Sequence, residues 1–122
     1  MTVRLFCGDC LDVLPTLEEN SVDCVITDPP YGLGKEPDAI EMMRAWLADE
    51  EYENGNGGGF MGKEWDSFVP GPRYWKEVLR VIKPGGMCLV FGGTRTVDLT
   101  KMALRFAGWE IRDTLMWLYG SG

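Results

Sequence analysis

A chain of 122 residues is long enough to form one domain with a substantial hydrophobic core and too short for two. Its composition, 45% hydrophobic and 25% charged, is typical of a soluble globular domain, and no apolar run approaches the ~20 residues that a membrane-spanning helix needs. The formal net charge of −7 argues against a free-standing nucleic-acid binder, because contacts to phosphates require cationic side chains.

From the N-terminus onward, the pattern of apolar residues predicts strands that alternate with helices. The first residues lack the charged-then-apolar layout of a signal peptide, so we expect a cytoplasmic protein. Predicted strands cover residues 3–7, 22–27, 87–91 and 109–118. Predicted helices cover residues 11–17, 37–49 and 73–83, and a last helix follows residues 94–96 and ends at Gly108. Alternating strands and helices form parallel sheets, so we expect an α/β fold in which strand 87–91 is buried on both faces.

The four cysteines divide into two pairs by sequence context. Cys7 and Cys10 form a C-x-x-C pair, which is compatible with a redox pair or with half of a zinc site. The chain contains no histidine that could complete such a site. Cys24 and Cys88 lie within apolar, strand-like runs, where a cysteine packs as a small core residue. We therefore expect reduced, structural thiols and no metal site.

Two loops separate the second and third predicted helices. Residues 54–59 are rich in glycine, but no strand precedes them and no Lys-Ser/Thr follows, so a surface loop is favoured over a phosphate-binding loop. Residues 60–66 interleave aromatic and basic side chains. They are compatible with a loop that Trp65 and Phe68 pin to the core, or with a lid near a ligand site.

The tetrapeptide Asp28, Pro29, Pro30 and Tyr31 follows the predicted strand 22–27, at the end where parallel sheets bind ligands. Proline has no N–H, so the loop offers mainly acceptors: carbonyl oxygens and the Asp28 carboxylate. Tyr31 adds an aromatic face. The combination suits a planar ring that carries an NH2 group, such as a nucleobase, although a rigid Asp-Pro turn with ordinary packing explains it equally well.

The tetrapeptide and its flanking motifs together resemble the amino-group DNA methyltransferases, which modify adenine N6 or cytosine N4. The resemblance covers nearly the whole chain. Its motifs are DPPY at 28–31, GDCLDVL at 8–14, GFMGKEWD at 59–66, LRVIKPGG at 79–86, FGGTRT at 91–96 and WLYGSG at 117–122. It implies a Rossmann-like methyltransferase sheet, S-adenosylmethionine as cofactor and double-stranded DNA as partner.

The resemblance also implies roles for individual residues. The NH2 of a base flipped out of the duplex would donate hydrogen bonds to the Asp28 side chain and the Pro29 carbonyl, and Tyr31 would stack on that base. Asp9 is similar to the family's acidic residue that contacts the adenine of the cofactor, and Cys10 and Asp28 complete the expected cofactor contacts. An Asp before Pro-Pro-Tyr favours adenine N6 over cytosine N4.

One family feature is missing from the chain. No F-x-G-x-G follows a strand, although the family uses that loop to hold the methionine end of the cofactor. The chain therefore looks like a partial catalytic domain (residues 1–122) of a permuted member, without the glycine loop and the target-recognition region. In the family, two strands from the missing part lie between strands 3–7 and 22–27. We therefore expect an incomplete sheet with open edges that invite self-association or a partner chain.

Two other functions compete with an active methyltransferase. The chain could be a truncated, inactive remnant, or a subunit that needs a partner for cofactor and DNA binding. It could also be an unrelated α/β small-molecule binder, which the set of motifs disfavours. Methyl transfer from labelled cofactor to DNA separates these classes.

Overall fold

The computed structural model describes residues 1–55 and 64–121. Within these ranges the chain forms four α-helices, two strands and two short 3-10 turns. The helices are α1 (Cys10–Val13), α2 (Ala39–Leu47), α3 (Pro72–Val81) and α4 (Val97–Phe106). The strands are β1 (Val22–Thr27) and β2 (Ile82–Val90), and the 3-10 turns are Leu14–Thr16 and Glu64–Asp66. No helix in the described part of the chain is both long and apolar enough to cross a membrane.

The four helices lie where the sequence predicts them, with ends that side-chain chemistry adjusts. The first predicted helix is α1 followed by a 3-10 turn, because Pro15 lies in the middle of this segment. The second begins one residue after Asp38 rather than at Pro37. The Asp38 carboxylate accepts the N–H groups of Ile40 and Glu41, both at 3.0 Å, and so caps the helix.

The sheet consists of β1 and β2, which pair in parallel. Their register runs from Val22 opposite Ile82 to Thr27 opposite Val90, with an irregularity that accommodates residues 83–86. The α/β class is therefore confirmed, and the prediction of two further strands at 3–7 and 109–118 is wrong for this structure. Those segments are extended but unpaired, because a strand requires a hydrogen-bonded neighbour and β1 and β2 bond only to each other among the described residues.

The helices cover one face of this sheet. The core consists of buried side chains from α2, α3, α4 and the segment before α3, with Trp75 fully buried at its centre. Val25 of β1 and Cys88 and Val90 of β2 are half-buried against this core. The strand residues that alternate with them point away from it.

The opposite face of the sheet is largely exposed in the part of the chain that the structure describes. Ile26, Met87 and Leu89 are 70%, 54% and 46% exposed, and Cys24 is exposed beside them. The prediction that strand 87–91 is buried on both faces is therefore wrong here, and so is the prediction that Cys24 is a core residue. The physical reason is the same for both: the described helices pack on one side of the sheet only. We call Cys24, Ile26, Met87 and Leu89 the bare face.

Arg80 attaches the first turn of the chain to the core. Its guanidinium donates to the carbonyls of Leu14 at 2.8 Å and Leu17 at 3.1 Å, and it pairs with Glu77. The carbonyl of Arg80 in turn accepts the N–H of Asn20 at 3.1 Å. These bonds fix the end of the α1 segment against α3 and thereby set where β1 begins.

Candidate active site

The tetrapeptide from Asp28 to Tyr31 lies at the carboxyl end of β1, as predicted. The last ladder bond of the sheet is the Phe91 N–H to the Thr27 carbonyl at 3.0 Å, so the chain leaves the sheet at Asp28. Asp28 is exposed, Pro29 is buried, and Pro30 and Tyr31 are half-buried. A carboxylate is therefore presented to solvent on a loop whose next two residues are anchored and lack N–H groups.

Within the tetrapeptide, the Tyr31 hydroxyl donates a 2.7 Å hydrogen bond to Asp28 Oδ1. This bond, together with partial burial and the negative charge of Asp28, raises the pKa of Tyr31 to about 12. The phenol therefore remains a proton donor at neutral pH. An ionised carboxylate has roughly four lone-pair sites, so Asp28 keeps acceptor capacity for a further donor.

Asp66 and Thr96 hold the loop from two sides. The carboxylate of Asp66, which is 3% exposed, accepts the N–H of Tyr31 at 2.7 Å and the N–H of Gly32 at 3.1 Å. The hydroxyl of Thr96, which is 5% exposed, donates to the carbonyl of Tyr31. The peptide groups on both sides of Tyr31 are therefore fixed by buried side chains.

Gly32 allows the loop to approach the segment that carries Asp66. Its φ of +65° lies in the left-handed region, which a glycine adopts without the penalty that a Cβ brings. A Cβ at this position would lie 3.0 Å from the Val69 N and 3.2 Å from the Phe68 carbonyl carbon. The close backbone approach leaves no room for a side chain.

Asp9 and Cys10, the two candidate cofactor contacts, lie at the start of α1 and are exposed. The Asp9 carboxylate accepts the Leu11 N–H at 2.8 Å and so caps that helix. Tyr74 of α3 lies between this region and the end of β1, close to the side chains of both Thr27 and Cys10. Burial is the main cause that raises the pKa of Tyr74. The structure thus brings Cys10 close to the strand end that precedes Asp28.

Asp28 is the exposed residue of the motif. One cavity of about 280 Å³ is lined by residues that include Tyr52 and Phe68, and another of about 360 Å³ by residues that include Arg4 and Ser21. No residue of the tetrapeptide lines either cavity. The chemistry available at the motif is therefore that of an exposed acceptor beside an aromatic ring.

The sequence pattern predicts a lid or a pinned loop at residues 60–66, of which residues 60–63 lie outside the described ranges. Phe68 does pin the following segment, with ring centroids 6.1 Å from Trp46 and 5.1 Å from Tyr52. Trp65 is 65% exposed and does not insert into the core, so that part of the prediction is wrong.

Two residues at the site escaped the sequence reasoning, Asp66 and Thr96. Thr96 follows β2, and parallel strands end at the same edge of a sheet, so its proximity to the tetrapeptide could have been found. Asp66 is 35 residues from Tyr31 in sequence, and no periodicity or spacing connects the two.

Comparison with known proteins agrees with the resemblance that the motifs carry. Residues 22–121 match a family model described as DNA methylase. The chain belongs to this family. The DNA methylase match includes Asp28 to Tyr31, Asp66 and Thr96, and excludes Asp9 and Cys10.

Three relatives of this chain are type II methyltransferases. M.HpaI of Haemophilus parainfluenzae is 30% identical over 123 residues, which cover 100% of this chain and 33% of the relative. M.BamHI of Bacillus amyloliquefaciens is 27% identical over 90% of the chain and 23% of the relative, and M.HinfI of Haemophilus influenzae is 27% identical over 90% and 30%. The chain thus spans about a quarter to a third of the length of these relatives. No solved structure matches it significantly.

Proposed function

We propose that this DNA methylase is the catalytic portion of an enzyme that transfers a methyl group from S-adenosylmethionine to N6 of an adenine flipped out of double-stranded DNA. The observation that carries the proposal is the exposed Asp28 carboxylate at the carboxyl end of β1, followed by two prolines and Tyr31. Membership in the DNA methylase family supports methyl transfer to DNA. The domain assignment, a partial catalytic domain over residues 1–122, belongs to the same proposal.

The loop chemistry suits an exocyclic amine. The two N–H groups of the amine would donate to the Asp28 carboxylate and to the Pro29 carbonyl, which holds the nitrogen in one orientation. The Tyr31 hydroxyl already occupies Asp28 Oδ1 at 2.7 Å, so the amine would use the other carboxylate oxygen or displace the phenol. Displacement would free the Tyr31 ring to stack on the base.

The chain offers hydrogen-bond acceptors that match the donor groups of S-adenosylmethionine. When bound, the cofactor supplies an electrophilic methyl group on a positively charged sulfur. Asp9 and Asp28 are exposed carboxylates, and the adenine amine and the ammonium group of the cofactor are donors that carboxylates accept. Cys10, which lies close to Tyr74 near the end of β1, would line the space between the two carboxylates. Titration of the chain with S-adenosylmethionine in a calorimeter tests this, and the Asp9→Asn variant should bind more weakly.

The decisive experiment measures transfer of a labelled methyl group from S-adenosylmethionine to double-stranded DNA. Asp28→Ala should abolish transfer, because the amine loses its charged acceptor. Asp23→Ala is the matched control. Asp23 is an exposed carboxylate on β1, away from the loop, where it pairs with Lys83. Its loss should leave transfer unchanged. Retained activity in Asp28→Ala would remove Asp28 from the mechanism.

Two further measurements define the reaction product and the state of the base. Chromatography of the digested DNA separates N6-methyladenine from N4-methylcytosine, and an Asp before Pro-Pro-Tyr favours the former. A 2-aminopurine placed at or beside the target reports base flipping, because its fluorescence rises when it leaves the stack. Methylcytosine as the product would overturn the N6 proposal while leaving methyl transfer intact.

A second candidate function, an interaction module, is favoured by the bare face. Ile26 is 70% exposed on a sheet whose two strands bond only to each other among the described residues. Exposed apolar patches and open sheet edges promote association. We propose that the isolated chain self-associates through this face and binds cofactor weakly. Sedimentation velocity should show dimers or larger species, and a sharp monomer with micromolar cofactor affinity would contradict it.

A matched pair of variants locates the association surface. Ile26→Lys places a charge on the bare face and should shift the chain toward monomer. Ile40→Lys changes an isoleucine of similar exposure, 65%, on α2, away from the bare face, and should leave association unchanged. Equal effects of the two variants would exclude the bare face as the surface.

A further inference from the structure

Asp66 is a buried carboxylate whose hydrogen bonds converge on the candidate catalytic loop. Asp66 is 3% exposed, and its Oδ1 atom accepts the N–H groups of Tyr31 at 2.7 Å and Gly32 at 3.1 Å. Burying a carboxylate away from water destabilises the folded state unless hydrogen-bond donors satisfy its oxygen atoms. Here the compensating donors include two consecutive peptide N–H groups of the segment that follows Pro29 and Pro30.

The choice of these two donors follows from the sequence of the loop. Pro29 and Pro30 have no N–H and a fixed φ, so the stretch from Asp28 to Tyr31 is stiff and cannot be held by backbone donors within the prolines. Tyr31 and Gly32 supply the first N–H groups after Asp28. A group that fixes them fixes, through the two rigid prolines, the direction in which Asp28 and the Pro29 carbonyl point.

Thr96 binds the other polar atom of the peptide group between Tyr31 and Gly32. Its buried hydroxyl donates to the Tyr31 carbonyl, while the N–H of Gly32, in the same peptide group, donates to Asp66. The Tyr31–Gly32 peptide therefore has both its polar atoms satisfied by side chains from two distant segments. A peptide held at both ends cannot rotate without breaking a bond on each side.

We infer that Asp66 is a positioning residue for methyl transfer, which holds the Asp28–Tyr31 loop in the orientation that binds the target amine. The inference rests on the proposed function. It predicts that the charge of Asp66 matters as well as its shape, because hydrogen bonds to an ionised acceptor are roughly twice as strong as neutral ones. Asn can accept the same N–H groups without the charge, so Asp66→Asn should retain part of the function that Asp66→Ala loses.

Asp38 provides a control, because it makes the same type of hydrogen bond as Asp66 at a position away from the candidate loop. Its carboxylate also accepts two backbone N–H groups, those of Ile40 and Glu41, but at the start of α2. Loss of either carboxylate should lower stability. Only loss of Asp66 should lower the turnover of folded protein.

The experiment compares wild type, Asp66→Asn, Asp66→Ala and Asp38→Ala in two assays. In methyl transfer from labelled S-adenosylmethionine to DNA, kcat should fall about 100-fold in Asp66→Ala, as a small misplacement of reacting groups produces, with a smaller fall in Asp66→Asn and KM for DNA little changed. Asp38→Ala should keep the kcat of wild type. In amide hydrogen exchange followed by NMR, Tyr31 and Gly32 should exchange at least about 10-fold faster in Asp66→Ala and not in Asp38→Ala.

Every outcome bears on the inference. A kcat of Asp66→Ala within about twofold of Asp38→Ala would overturn it. If wild type transfers no methyl group, the proposed function of this chain fails, and amide exchange alone judges Asp66. Unchanged exchange at Tyr31 and Gly32 would then overturn the positioning role, and faster exchange would support it. If Asp66→Ala does not fold, Asp66→Asn carries the same comparison.

Discussion

Gly32→Ala tests how closely the candidate loop approaches its neighbouring segment. The substitution adds a Cβ at a φ of +65°, which destabilises an L-residue by roughly 1–2 kcal/mol. It also places that Cβ 3.0 Å from the Val69 N and 3.2 Å from Phe68 backbone atoms. Backbone atoms cannot rotate away as a side chain can, so overpacking adds about 1–3 kcal/mol. We expect Gly32→Ala to lower the free energy of unfolding by roughly 2–5 kcal/mol in total.

Gly55→Ala separates the two contributions. Gly55 has nearly the same φ, +64°, but no heavy atom of the described residues lies within 4 Å of its added Cβ. It should therefore lose only the backbone term, roughly 1–2 kcal/mol. Urea unfolding followed by circular dichroism gives both values, provided the m-values agree. If the two variants lose the same stability within about 0.5 kcal/mol, the close approach at Gly32 is refuted, and with it the geometry that places Asp66 against the loop.

Three smaller predictions address other contacts of the site. The raised pKa of Tyr31, about 12 against an ordinary 10.0, means that its bond to Asp28 stabilises the fold below pH 10 and that this contribution disappears as pH rises toward 12. The difference in unfolding free energy between wild type and Tyr31→Phe should therefore be constant below pH 10 and shrink above it, and a gap independent of pH would contradict the bond. Burial, followed by the charge of Cys24, raises the pKa of Cys88 to about 11. Iodoacetamide at pH 8 should thus label Cys88 last, with about one thiol in a thousand ionised, and mass spectrometry that finds Cys88 labelled before Cys24 would contradict this. Thr96→Val should lower the unfolding free energy by about 1–3 kcal/mol, because the Tyr31 carbonyl loses its donor, whereas Thr96→Ser keeps the hydroxyl and most of the stability.

The local features of this chain were predictable from sequence because their causes are local. The periodic apolar residues of α3 and α4 and the glycine after α4 place those helices within a few residues. The apolar run of β1 followed by Asp28 places the candidate loop at a strand end. Membership in the DNA methylase family, expected from the motifs, is confirmed. The roles of Asp9, Cys10, Asp28 and Tyr31 stay predictions.

Features that depend on partners distant in sequence were not predictable in the same way. Residues 3–7 and 109–118 have strand-like patterns, but pairing requires a neighbour, and none lies beside them in the described ranges. The exposure of Cys24 follows from which face the helices cover, and a six-residue strand carries no signal for that. The contact of Asp66 with Tyr31 spans 35 residues and depends on the path of the whole intervening segment.

Because the helices pack on one side of the sheet, substitutions on its two faces affect different properties: the folding stability of the chain or its association. Val25, Cys88 and Val90 pack on the core, so a change there alters the stability of this chain itself. Ile26 is 70% and Leu89 46% exposed, so a polar residue in their place alters that stability less than a change on the core side does. Mutational scans of the folding stability of the monomer will therefore find the bare face tolerant. The same positions become sensitive only in an assembly that covers them, where burying each aliphatic side chain contributes about 1.5–3 kcal/mol.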